Sequence, residues 1–125
     1  MAKIRRYNIE DYGQIASWLN GWKIKPPAAD TLSDIGYIVD DTACGFLYLT
    51  NSSVGLLEGF VSNPKSDKND RDSAINWITL NLIDHARSEG VKVLKCETKL
   101  EEVINRANNF GFNEIGQFKV MMREL

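Results

Sequence analysis

Apolar positions along this chain recur with two different periods. Tyr12, Ile15, Ala16 and Leu19 are spaced as one face of a helix. Asn8 precedes them with Asp11 three residues on, in the manner of a capping box, and Asn20-Gly21 stops the run. A longer helical stripe, Ala74, Ile78, Leu82 and Ala86 with Ile75 and Ile83 beside it, spans 70–89 and closes at Gly90. Leu100, Val103, Ile104, Ala107 and Phe110 mark a last helix, with Thr98 and Glu101 as its capping box and Gly111 as its end. Between these lie short runs rich in β-branched and aromatic residues: 3–7, 36–39, 44–49, 54–61, 91–96, 112–115 and 117–122.

The connections give these elements an order. Asp40-Asp41-Thr42 and Asn51-Ser52-Ser53 are turn sequences, so 36–39, 44–49 and 54–61 form an antiparallel meander. Pro26-Pro27 opens a loop, with one helical turn available at 28–32. Strand 54–61, helix 70–89 and strand 91–96 make a βαβ unit, and its two strands should be parallel. The resulting order, β α (α) β β β α β α β β, predicts an α/β or α+β fold. One mixed sheet would hold one parallel pair and carry helices on both faces.

Composition narrows the picture. The 125 residues, 43 % hydrophobic and 26 % charged, fit one soluble globular domain over 1–125. A net charge of −2 provides no field for nucleic acid or an anionic membrane, and no run approaches the length of a membrane span. MAKIRRYN lacks an apolar stretch behind its charges, so a signal peptide is not expected and the location predicted is cytoplasmic. Cys44 and Cys96 sit in apolar strand-like runs and are expected as buried free thiols. With a single His, no metal site is expected.

Candidate chemistry lies in the segment 54–90. There an apolar run interrupted by Glu58 leads into a polar loop bearing Lys65 and Lys68, then into the start of the longest helix. Strand, loop and helix N-terminus in that order can hold an anion on free N–H groups, or can be an ordinary connection. Glu58 is either a solvent-facing strand residue or a carboxylate whose partial burial tunes it as a base. Trp18 and Trp22 either cover the edge of the core or wall a groove. His85 reads as a boundary residue.

Several landmarks resemble the GNAT (Gcn5-related) N-acetyltransferase superfamily over nearly the whole chain. Leu57-Glu58-Gly59-Phe60-Val61-Ser62-Asn63-Pro64 is similar to the fourth-strand Val-x-Pro signature, with one more residue before the proline. Ala86-Arg87-Ser88-Glu89-Gly90 followed by Val91-Lys92-Val93-Leu94 resembles the end of the main helix and the next strand. Asn109-Phe110-Gly111-Phe112-Asn113-Glu114-Ile115-Gly116 resembles the C-terminal signature. Gly45-Phe46-Leu47-Tyr48 looks like small phage-encoded members. The resemblance implies a mixed, mostly antiparallel sheet of six to seven strands. It also implies an acyl-CoA-dependent N-acyltransferase moving an acetyl group from acetyl-CoA to a primary amine of a small molecule or protein. Glu58 would be the base, and the N–H of Phe60 or Val61 the carbonyl donor. Ser62, Lys68, Arg71, Ser73, Ala74, Asn105 and Asn108 would contact the cofactor.

Two departures accompany the resemblance. The family's Gln/Arg-x-x-Gly-x-Gly/Ala loop stands here as Asp70-Arg71-Asp72-Ser73-Ala74-Ile75, without glycines and with two added acids. Phosphate would then be held by Lys65, Lys68 and Arg71 side chains. The tyrosine that protonates the leaving thiolate is replaced by Ala107. Both departures suit an alternative: a GNAT-shaped module without catalysis, binding a phage or host protein on the Trp18/Trp22 face, or pairing as a homodimer through its C-terminal strands.

Overall fold

In the computed structural model, which describes residues 2–125, five strands form one sheet in the order β1-β2-β3-β4-β5. They are β1 Ile4–Arg6, β2 Gly36–Val39, β3 Ala43–Leu49, β4 Val54–Ser62 and β5 Val93–Lys95. The first three pairings are antiparallel, and β4 pairs with β5 in parallel. Three α-helices accompany them: α1 Tyr12–Gly21, α2 Lys68–Ser88 and α3 Glu101–Asn109.

The helix ends follow from local chemistry. Asn8 accepts from the amide of Glu10 while Asp11 accepts from that of Asn8, closing the expected capping box around a 3-10 turn that leads into α1. Arg5 grips the same Asp11 carboxylate through both its oxygens, at 2.6 and 2.9 Å. α2 starts at Lys68, two residues before the expected 70, because Asp67 caps it by accepting from the Asp70 amide. Gly90, at φ 79°, ends the helix, and the Val91 amide folds back onto the Ala86 carbonyl.

Alternation along the strands divides the core between the two faces of the sheet. On one face Val39, Ala43, Leu47 and Leu57 meet the α2 stripe Ala74, Ile78, Leu82 and Ala86. On the other, Ile38, Cys44 and Phe46 meet Tyr7, Ile15 and Trp18. Trp18 thus belongs to the core at 5 % exposure, and of the tryptophan pair Trp22 alone is left on the surface. The reason is spacing: Trp18 falls three residues after Ile15 on the sheet-facing stripe, whereas Trp22 lies past the helix end.

The β3–β4 ladder contains a bulge. Cys44 lies opposite Val61 and Phe46 opposite Glu58, so Gly45 alone faces the pair Gly59-Phe60. Gly59 takes φ 72°, which an L side chain adopts only with strain, and a Cβ there would come within 2.9 Å of the Phe46 ring. At Gly45 a Cβ would meet the Phe60 ring at 2.7 Å. Glycine in both positions lets the bulge form.

Three expectations are corrected. The segments 112–115 and 117–122 form no strands, so the sheet has five rather than six or seven. β5 is three residues long and is the edge strand, paired with β4 alone. Phe118 and Met122 stand 79 % and 86 % exposed. Thr98 does not cap α3. Its hydroxyl accepts from the Leu100 amide in a turn before the helix, and Leu100 takes the cap position without a side-chain bond. Cys96 is exposed, because β5 ends one residue earlier at Lys95.

Candidate functional site

The parallel pairing of β4 with β5 covers Val54–Val93, Gly55–Leu94 and Leu56–Lys95, and then stops. β4 continues from Leu57 to Ser62 with its β5-side edge unpaired. The sheet therefore forks at Leu56, and the Gly59-Phe60 bulge lies just inside the opening. Main-chain groups on that free edge are available to an extended ligand arm.

The loop beyond β4 is tied down by its own side chains. The Asn63 amide donates to Thr42 O at 2.7 Å and its side-chain amide to Asp41 O at 2.8 Å. Asn63 in turn accepts from the amides of Lys65 and Ser66. Asp67 takes the amides of Asp70 and Arg71, so the first-turn amides of Lys68 and Asn69 are left for a ligand. The loop is thus shaped by Asn63 and Asp67 rather than by glycines.

On the α3 side of this turn lies an open cleft of about 330 Å³, lined by Lys68, Asp72, Asn76, Asn105, Arg106 and Asn109 among others. Asp72 divides its two carboxylate oxygens between two cations: Lys68 Nζ at 2.7 Å and Arg106 Nη2 at 3.0 Å. The hydrogen bond from Lys68, with Arg106 and Arg71 nearby, holds the Asp72 carboxyl below its ordinary range. Arg106 is the more enclosed partner, its side chain 19 % exposed.

The anticipated site residues are dispersed around this fork. Glu58, opposite Phe46, is exposed rather than partly buried. Phe60 packs on the α2 face and Val61 on the α1 face. The Ser62 carbonyl accepts from the Trp22 indole at 2.7 Å. Lys68 and Asn105 line the cleft, while Asn108 is exposed and its carbonyl accepts from Gly111 N. Arg71 points away, donating to Ser66 O and lying over the Trp22 ring at 5.6 Å. Ser73 and Ala74 line a separate hollow of about 430 Å³ with Asp40, Asp70 and Trp77, and Ala74 is buried against the sheet. His85 meets Tyr37 at 2.8 Å, remote from the fork.

Nothing in the sequence singles out Arg106. It is the lone basic residue of α3, one turn after Glu102, where it reads as half of a solvated pair. Cys44 approaches the Gly59 carbonyl at 3.8 Å, but burial pushes its thiol up to about 12, so it is no nucleophile at neutral pH. Among the described residues no cluster of His, Cys, Asp and Glu is placed to hold a metal ion, and no helix is long and apolar enough to cross a membrane.

No protein-family model matches the chain, and no curated protein matches it in sequence. Solved structures do. The ribosomal-protein-S18-alanine N-acetyltransferase of Escherichia coli superposes with a TM-score of 0.76 at 16 % identity, over 93 % of this chain and 80 % of that one. Rv2747 of Mycobacterium tuberculosis, solved in complex with CoA, gives 0.71 at 18 % identity over 95 % and 76 %. AAC(6')-Iy, bound to a bisubstrate analogue of CoA and acetylneamine, gives 0.69 at 14 % identity over 100 % and 99 %. A Staphylococcus aureus acetyltransferase of the GNAT family gives 0.73 at 15 % identity over 94 % and 87 %. The chain accordingly has the fold of the GNAT acetyltransferases.

Proposed function

We propose that the protein is an acyl-CoA-dependent N-acyltransferase, with an amine-bearing small molecule or protein as acceptor and acetyl-CoA as donor. The observation that carries it is the fork: β4 keeps a free edge from Leu57 to Ser62, with a glycine bulge at its mouth. A cleft between α2 and α3, the helices that flank β5 in the chain, bears Lys68, Asn105 and Arg106. The likeness in fold to acetyltransferases solved with CoA or a CoA-containing analogue supports it. Amide and cationic donors of this kind suit a pantetheine arm and phosphates.

Bound acyl-CoA supplies a thioester carbonyl for the amine to attack, so that a C–N bond forms as the C–S bond breaks. Glu58, solvent-exposed at the bulge, takes the proton from the amine nitrogen. The backbone N–H of Phe60 or Val61 donates to the carbonyl oxygen as charge builds on it. Ala107 contributes no acid, so water protonates the departing sulfur. Asn105 and Asn108 hydrogen-bond the arm, Lys68 faces the phosphates, and Ser62 ends β4 where the turn begins, while Arg71, Ser73 and Ala74, directed elsewhere, take no part.

Titration calorimetry with acetyl-CoA tests the proposal. Heat saturating at one ligand per chain is expected, and the absence of both heat and a thermal shift at millimolar ligand overturns it. If binding occurs but Glu58→Gln leaves acyl transfer at the wild-type rate, Glu58 is not the base.

A second reading is favoured by Asp67 and Asp72, two acids placed at the turn where an anion would sit. In that case the chain is a scaffold that binds a phage or host protein without catalysis. It predicts no acetyl-CoA binding in the same calorimetric experiment.

A further inference from the structure

We infer that Lys68 and Arg106 form a two-cation seat for the phosphates of the ligand, and that Asp72 is a built-in occupant which the ligand must displace. The identity of the ligand as a coenzyme A thioester rests on the function proposed above; the anion seat itself does not.

Three observations lead to it. The loop amides that could form a nest are largely consumed by Asn63 and Asp67, so side chains must supply most of the positive charge. Two cations from different helices, α2 and α3, converge on one point of the cleft. What holds them there is a single carboxylate, with one oxygen on Lys68 Nζ at 2.7 Å and the other on Arg106 Nη2 at 3.0 Å. Two oxygens of one phosphate can make the same bridging contact, with more charge. The amides of Lys68 and Asn69 lie in the same first helical turn as Lys68 and can add to it.

The arrangement has a direct consequence for affinity. A phosphate entering the seat must expel the Asp72 carboxylate into solvent, and part of its binding energy is spent there. Asp72 therefore selects for ligands with enough negative charge to compete. A purely structural role, stapling α3 to α2, gives the opposite sign: loss of Asp72 would loosen the cleft and weaken binding.

The test titrates wild type, Asp72→Asn, Asp72→Ser, Arg106→Gln and Arg106→Lys with inorganic pyrophosphate and, separately, with coenzyme A, and records the melting temperature of each without ligand. Both Asp72 variants should bind pyrophosphate about tenfold more tightly, and Arg106→Gln should bind it about tenfold more weakly, the scale of one charge-assisted hydrogen bond. Arg106→Lys should recover part of that loss. Unchanged or weaker pyrophosphate binding in every Asp72 variant that melts as wild type does overturns the displaced occupant and leaves a staple. If pyrophosphate follows the expected order while coenzyme A binds to none of the proteins, the seat stands and the acyl-CoA function fails. If coenzyme A binds all five proteins alike, that function survives and the seat is overturned.

Discussion

Trp22 donates its indole N–H to the carbonyl of Ser62 at 2.7 Å, forty residues further along the chain, and the Arg71 guanidinium lies over the same ring. One side chain thus joins the residue after α1, the last residue of β4 and the first turns of α2. Gly21 beside it lies so close to Pro64 that a Cβ would approach the proline ring to 2.6 Å. Trp22→Phe keeps the ring and removes the bond, and should cost about 1 kcal/mol. Trp22→Ala also removes the ring beneath the Arg71 guanidinium and should cost about 0.5–1 kcal/mol more. Urea unfolding measures both, and equal midpoints for all three proteins would show that the indole is a bystander.

The bulge in β4 depends on Gly59. Gly59→Ala should destabilise the protein by about 1–2 kcal/mol from backbone strain alone, with a further loss from contact with Phe46. Gly90→Ala is the control: Gly90 has φ 79°, but a Cβ there would meet nothing within 4 Å, so it reports strain without the clash. A Gly59→Ala protein no less stable than Gly90→Ala would mean that the Phe46 ring moves aside freely.

The Arg5–Asp11 pair gives a pH signature. The hydrogen bond from Arg5, aided by the Asn8 amide, holds the Asp11 carboxyl below its usual range. A group whose folded pKa is depressed stabilises the protein above its unfolded value, near about 3.9, and that contribution fades as pH falls through the folded one. Arg5 is half exposed, so solvent screening limits the contribution to about 1 kcal/mol. Asp11→Asn should therefore lower the melting temperature at pH 7, with the gap to wild type closing below about pH 4. A gap that persists undiminished at pH 3 would locate the effect in packing instead.

Tyr7 buries its hydroxyl in the α1-side core without a hydrogen-bond partner among the described residues, edge-on to Phe46 at 4.9 Å. Deleting an unpaired buried hydroxyl recovers a desolvation penalty of about 1 kcal/mol. Tyr7→Phe should raise the melting temperature, and a fall of a few degrees would reveal a water bonded to that oxygen.

Local regularities carried most of the fold into the sequence. The alternation Ile38/Val39 and Cys44/Phe46/Leu47, the α2 stripe and the Asn8–Asp11 box all act over a few residues, where periodicity and capping leave a mark. The parallel pairing of β4 with β5 follows from the βαβ order, whereas the bulge at Gly59-Phe60 is not foreseen there, because it shows only in the register of the ladder with β3. Contacts such as Arg106 with Asp72, 34 residues apart, or Trp22 with Ser62 leave no periodic trace, because each joins elements whose docking is set by the whole core. Ser73 and Ala74 illustrate the same limit: their place in the α2 helix turns them toward Asp40 and Trp77, while Lys68, Asp72 and Asn76, spaced one turn apart, face α3. Strand propensity at 112–122 gives no neighbour for those strands to pair with.

The outer rim of β5 has its own consequence for handling. Its far side carries unpaired main-chain donors and acceptors, while Ile115, Phe118, Val120 and Met121 stand in water on the trailing ribbon. An open strand edge and exposed apolar side chains each favour contact between molecules, so crowding the sample favours sticking between chains. Light scattering should rise steeply across a dilution series, and mild detergent should flatten it.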